Sequence, residues 1–261
     1  CGGMPKYRLA ASAEMMFLDL PFVERVEKIH SRGFEVEIWN WANKDLPALA
    51  ATGARFNSMT GYLEGDLLED DGIEKFLATA EQSIEASMII DCPNLNLHGT
   101  GLDDQGQAIR KRYGTTRAEW QTARDTLARI AELGEKQDKI FILENLNLLI
   151  DHPGTPFGLA SEVISLIESV NSPHLRMNLD LYHAQIGEGN LVELVRRAFP
   201  IIGEIQVADV PGRCEPGTGE INYKRIAQEL KALDYAGVVG LEGWAQTDSD
   251  LALDRFAEAF A

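Results

Sequence analysis

Along most of its length the chain alternates between two hydrophobic periods. Short runs of apolar residues are followed by longer stretches in which apolar residues recur every three or four positions. The first pattern is that of a β-strand and the second that of an amphipathic helix. Strands are predicted over 7–11, 35–40, 54–59, 94–98, 140–145, 175–181, 202–208 and 238–243. Helices are predicted over 20–31, 46–52, 72–87, 116–136, 159–170, 191–198, 223–233 and 249–259. Eight strand–helix pairs in 261 residues give about 33 residues per unit, close to the roughly 30 that a βαβ module requires. Runs such as Ile140-Phe141-Ile142-Leu143 are apolar on consecutive positions, which suits parallel strands buried on both faces. No Pro/Gly/Ser-rich linker, charge block or low-complexity tract interrupts the alternation. The prediction is one α/β domain over 4–261, a closed (β/α)8 TIM barrel, with an open doubly wound sheet as the structural alternative. Cys1-Gly2-Gly3 before Met4 reads as a short tail or a remnant of expression.

Composition narrows the function classes. Apolar residues make up 45 % and charged residues 25 % of the chain, the balance of a globular protein and not of a disordered one. Acidic residues outnumber basic ones 41 to 24, a net charge of −17. That charge argues against a broad nucleic-acid-binding face and against attachment to an anionic membrane surface. It leaves room for a small anionic substrate, because one cation or metal reverses the sign locally. Cys1, Cys92 and Cys214 are few and far apart, so no disulfide framework is expected and a reducing, cytoplasmic setting is. No apolar stretch is long enough to span a membrane, and no signal-peptide pattern follows Lys6 and Arg8.

In a barrel of this class chemistry gathers where the strands end. Glu144, Asp180, Gln206 and Glu242 end or interrupt the apolar runs of the fifth to eighth strands, at spacings of 36, 26 and 36 residues. Taken singly, each reads as a capping or ion-paired residue. Together they place three carboxylates and an amide oxygen around one mouth, where the carboxylates repel unless a cation sits among them. Hard oxygen donors suit Mg²⁺ or Mn²⁺. His183, three residues after Asp180, is expected in the loop above that strand, bonded either to a substrate oxygen or to backbone. Arg213 rides on a loop rich in proline and glycine over 208–222; it could grip a substrate carboxylate with two parallel hydrogen bonds, or pair with Glu215 or Glu220. His98 ends the fourth strand, either as a mouth residue or as a structural one. Trp39, Trp41 and Trp244 stand near strand ends as candidate pocket walls or rim packing. Cys214 has no neighbouring base and reads as passive, and the run Arg110-Lys111-Arg112 reads as a solvated loop.

Four segments together carry a resemblance. They are Leu143-Glu144-Asn145-Leu146-Asn147, Asn178-Leu179-Asp180-Leu181-Tyr182-His183, Gly203–Asp209 with Pro211-Gly212-Arg213 and Glu215–Tyr223, and Gly240-Leu241-Glu242. The chain resembles the hydroxypyruvate isomerase family of the xylose isomerase-like barrel superfamily, over nearly its whole length. The resemblance implies Glu144, Asp180, Gln206 and Glu242 as ligands of Mg²⁺ or Mn²⁺, with Co²⁺ a further option. It implies Glu144 and Glu242 as the acid–base pair and His183 and Arg213 as substrate-holding residues. Gln206 favours the hydroxypyruvate isomerase branch, since ketose 3-epimerases usually carry histidine there. The segment His98-Gly99-Thr100-Gly101 departs from the best-known members, which leaves the substrate open and His98 a candidate substrate contact. The implied partner is a small oxo acid or short sugar, and the implied assembly a homo-oligomer. The implied reaction interconverts an α-hydroxy ketone and an aldehyde through a cis-enediolate. The alternatives are a ketose 3-epimerase or oxo-tetronate isomerase on a longer substrate, an inosose-type dehydratase, a metal-dependent endonuclease and a non-catalytic sugar-binding protein.

Overall fold

The structure, a computed structural model, describes residues 4–261; the tail at 1–3 lies outside the described residues. Eight parallel strands are present: β1 (Arg8–Ser12), β2 (Glu35–Glu37), β3 (Phe56–Thr60), β4 (Asn94–Leu97), β5 (Ile140–Glu144), β6 (Leu175–Asp180), β7 (Ile202–Val207) and β8 (Val238–Leu241). Each pairs with the next in sequence, and β8 pairs with β1, so the sheet closes into a barrel. Outside it run α1 (Phe22–Ser31), α2 (Leu46–Ala51), α3 (Asp70–Ile89), α4 (Arg117–Gln137), α5 (Ala160–Val170), α6 (Leu181–Gly187), α7 (Leu191–Ala198), α8 (Tyr223–Ala232) and α9 (Ser249–Ala259). The (β/α)8 barrel predicted from the periodicity is the observed fold, and the open sheet is excluded.

Two elements differ from expectation. Strand β2 is short because its ladder frays: a register shift falls between Val36 and Glu37, while Ile38 and Trp39 keep only single bonds to Ser58 and Thr60. Helix α6 was not predicted. It follows β6 without a turn because Asp180 ends the strand and caps the helix at once, its side chain accepting from the His183 N–H at 2.8 Å.

The apolar and polar faces of the strands divide cleanly. Phe141, Leu143, Leu175, Met177, Leu179, Ile205, Val207, Val239 and Leu241 are fully buried and belong to the main hydrophobic core. The register settles the other face. Glu144 is partnered with Asn178, Asp180 with Gln206, and Gln206 with Gly240. Partnered residues in a parallel ladder share a face, and so do residues two apart on one strand. Asn178, Asp180, Glu204, Gln206 and Gly240 therefore line the inside, where a barrel of this type ordinarily packs branched aliphatics. The register also fixes height. A TIM barrel staggers by about one residue per strand. Staying level from β5 to β8 thus needs an advance of about three residues along the ladder. Going from Glu144 through Asp180 and Gln206 to Glu242 advances two, none and two residues relative to the partners, so the four stand near one level at the mouth.

Candidate active site at the mouth of the barrel

Glu144, Asp180 and His183 converge, with one ligand atom from each lying within 4.8 Å of the others. All three are almost wholly buried. Glu144 Oε1 accepts from Asn96 Nδ2 at 2.8 Å and lies 3.1 Å from His98 Nε2. His98 is backed in turn by the Tyr62 hydroxyl, 2.7 Å from its Nδ1. The strand-end histidine therefore sits directly on the buried glutamate. His183, expected in the loop above β6, instead occupies the first turn of α6. Its Nε2 is 3.6 Å from Glu144 Oε2 and 3.7 Å from Asp180 Oδ2, and has no hydrogen-bond partner.

Glu242 lies just past β8 and is held differently. Its Oε1 accepts from Arg213 Nη2 at 3.0 Å. The Arg213 guanidinium rests 4.8 Å above the Tyr182 ring, and its Nε is buried without a partner. Gln206 accepts from Asn178 Nδ2 at 3.0 Å and points its own amide nitrogen toward Glu37 Oε1 at 3.4 Å. Asn178 also donates to Asn96 Oδ1 at 2.9 Å, so a chain of side-chain amides runs beneath the carboxylates from β4 to β7.

Burial and charge split the carboxyl groups. Burial alone would push Glu144 up, but the hydrogen bond and charge of His98, the Asn96 amide and the charge of Arg213 prevail and hold it below the usual carboxylate range. Burial and the neighbouring Glu144 charge push Glu242 the other way, up to about 8, against the opposing charge of Arg213. Burial and Glu144 also raise Asp180 well above its ordinary value. Burial, followed by the charge of Arg213, holds His183 neutral, well below its ordinary value. Hard oxygen donors crowded at one mouth, with Asp180 and Glu242 raised by burial and by the Glu144 charge, are a set that a divalent cation fits.

The loop after β7 is built around Asp209, which is fully buried. Its carboxylate accepts from the backbone N–H groups of Val210, Gly217 and Ile221 at 2.9–3.0 Å. Arg213 itself adopts a left-handed backbone, φ +58°. Glu215 turns away from Arg213 to bind the Gln246 N–H at 2.8 Å and Arg255 at 3.0 Å. The pairing of Arg213 with Glu215 or Glu220 considered from sequence is thus replaced by one with Glu242. Trp41 leaves the mouth to bond Ser83 on α3 at 2.9 Å, whereas Trp39 and Trp244 stay on the rim. The basic run after β4 is neutralised: Arg110 pairs with Asp66 and Asp71, and Arg112 with Glu69 and Glu119.

Compared with known proteins, residues 23–259 match the family model described as a xylose isomerase-like TIM barrel. The chain belongs to that family. Hydroxypyruvate isomerase of Escherichia coli is 35 % identical, over 94 % of this chain and 96 % of its own. The 2-oxo-tetronate isomerase of Pectobacterium atrosepticum is 29 % identical, over 93 % of this chain and 97 % of its own. A crystal structure from Brucella melitensis, titled AP endonuclease, family 2, superposes with a TM-score of 0.86 at 26 % identity, covering 98 % of this chain and 99 % of that one. With such relatives, this xylose isomerase-like barrel is an isomerase. No helix among its described residues is long and apolar enough to cross a membrane.

Several residues of this xylose isomerase-like site were not singled out from sequence: Tyr62, Asn96, Asn147, Asn178, Glu37 and Glu204. Asn96, Asn178 and Glu204 sit inside strands, and a search confined to strand ends passes over them. The signal that finds them is the strict alternation Leu175-Arg176-Met177-Asn178-Leu179-Asp180, which marks a strand with one polar, inward face.

Proposed function

We propose that the protein is a metal-dependent isomerase of small oxo acids of the hydroxypyruvate type. The observation that carries the reading is the group of buried carboxyls at the barrel mouth, Glu144 and Asp180 converging with His183, and Glu242 held by Arg213. Two carboxyl groups in unlike surroundings, Glu144 against His98 and Asn96 and Glu242 against Arg213, are what a proton shuttle between neighbouring carbons needs.

Glu144, Asp180, Gln206 and Glu242 would hold Mg²⁺ or Mn²⁺. When bound, such a cation supplies Lewis-acid polarisation of an α-hydroxy carbonyl and acidifies the C–H between its oxygens. Glu144, ionised, removes the proton from the hydroxyl-bearing carbon. The resulting cis-enediolate takes a proton at the neighbouring carbon from Glu242 while the hydroxyl proton passes to the former carbonyl oxygen, so the α-hydroxy ketone becomes an α-hydroxy aldehyde; Glu144 then gives up its proton and Glu242 regains one from water. His183 donates from Nε2 to a substrate oxygen. Arg213 steadies the substrate carboxylate, with Tyr182 as a shelf beneath its guanidinium. His98 and Asn96 keep Glu144 charged and aimed.

A longer oxo acid is the second reading, favoured by the likeness to the 2-oxo-tetronate isomerase. Phosphodiester chemistry is disfavoured by the net charge of −17 and by the pairing of the basic run. The test is proton NMR in D₂O with hydroxypyruvate and Mg²⁺ or Mn²⁺, with EDTA as control. Cation-dependent deuterium uptake together with tartronate semialdehyde is expected. Deuterium uptake without that product moves the substrate to longer oxo acids and ketoses. No uptake with any of them refutes the isomerase mechanism.

A further inference from the structure

The amide of Asn147, in the loop after β5, has all of its hydrogen-bonding capacity engaged. Its Oδ1 accepts from two backbone N–H groups, Ile150 at 3.1 Å and Asp151 at 2.9 Å. Those partners can only donate, so the amide orientation is fixed and Nδ2 must face the other way. There it meets Asp151 Oδ2 at 2.7 Å and His183 Nδ1 at 2.8 Å. An amide N–H requires an acceptor, so His183 Nδ1 carries a lone pair. The imidazole then keeps its one proton on Nε2, the nitrogen aimed between Glu144 and Asp180 with no partner of its own. Asp151 is anchored from a second side by the Tyr182 hydroxyl at 2.7 Å, and the Tyr182 ring is the one beneath Arg213.

We propose that Asn147 is a positioning residue that locks His183 in its Nε2–H tautomer, making it a hydrogen-bond donor to the reacting substrate oxygen and barring it from service as a cation ligand. The inference rests on the isomerase reading for its consequence in turnover, though not for the tautomer itself. Proximity alone would place His183 with Glu144 and Asp180 in a metal centre. The Asn147 amide removes that option, because a protonated nitrogen offers no lone pair. The cation is then left to oxygen donors only.

The test is two-bond ¹H–¹⁵N NMR of histidine ring nitrogens on the full chain, with His183 assigned from a His183→Gln variant. The expected pattern is a protonated Nε2 and a bare Nδ1, unchanged on adding Mg²⁺. A bare Nε2, or loss of its proton when Mg²⁺ is added, overturns the proposal. In Asn147→Asp the carboxylate accepts from Nδ1, and the pattern should reverse; in Asn147→Ala it should become mixed. Both variants should lose tenfold or more in kcat with KM changed less than threefold. A wild-type pattern with wild-type kcat in both variants overturns the proposal. The NMR pattern needs no substrate, so a failed isomerase assay leaves the tautomer decided independently.

Discussion

Glu204 offers a measurement in which burial is the largest cause of the effect. Its side chain sits on the inner face of β7, fully buried, and no donor reaches either carboxyl oxygen in hydrogen-bond geometry. Burial, then the neighbouring Glu37 charge, raises its pKa well above the ordinary value. The unfolded value is about 4.3. Between the two values folding takes up a proton, so this group's contribution to stability is present below the unfolded pKa and is lost as pH rises toward the folded one. The slope is about 1.4 kcal/mol per pH unit. Glu204→Gln keeps the size and neutrality of the protonated acid and has no proton to take up. Urea unfolding followed by circular dichroism in EDTA, at pH 5.5 and 7.5, reads the difference. From the lower to the higher pH the variant should gain stability relative to wild type, by at most about 2.7 kcal/mol, the limit reached if the proton is kept over the whole interval. An equal offset at both pH values would mean that Glu204 is ionised in the folded protein, and the account of the barrel interior would fail.

Three further outcomes are expected. With Glu242 held at about 8, it carries a proton at pH 7 in the metal-free protein, and Mg²⁺ competes with that proton; the raised Asp180 acts in the same direction. Affinity for Mg²⁺ should rise roughly tenfold per pH unit for each proton released, and calorimetry in buffers of different ionisation enthalpy should count at least one proton at pH 7. Arg213→Lys keeps the charge but loses the planar fork over Tyr182, so KM for hydroxypyruvate should rise by about tenfold with the melting temperature little changed, measured by steady-state kinetics and calorimetry. A Cβ at Gly240 would lie 2.3 Å from Glu37 Oε1, so Gly240→Ala should cost roughly 1–3 kcal/mol in urea unfolding; a variant as stable as wild type would show that Glu37 yields freely.

The barrel was legible because its outer layer is a hydrophobic pattern. Most strands present apolar residues at alternate positions to the helices, and the helices return them at their own period. Helix α6 escaped notice because Asp180 does two jobs and no Gly, Pro or Asn separates strand from helix. The strand-end residues Glu144, Asp180, Gln206 and Glu242 could be picked out by their spacing, and the register sets them near one level. What each of them touches could not be read that way. The pairing of Arg213 with Glu242 depends on a loop folded around Asp209, and the contact of His98 with Glu144 depends on how two adjacent strands are staggered. In the sequence Asn147 stands out only as part of a family-like run, because an amide's significance lies in which way it faces, and that is decided by backbone groups of Ile150 and Asp151.

The loop that carries Arg213 is fastened from within, by a buried carboxylate that holds three of its own backbone N–H groups. A segment tied in this manner folds with the barrel and does not wait for a ligand to order it. The conformational entropy of placing the guanidinium is spent during folding, so little of the binding free energy is diverted to loop closure. On the proposed function, selection among small anions would then take place on first encounter, by the fit of their length and charge to a preset clamp. Amide hydrogen exchange across 208–222 should accordingly differ little between the free and the liganded protein.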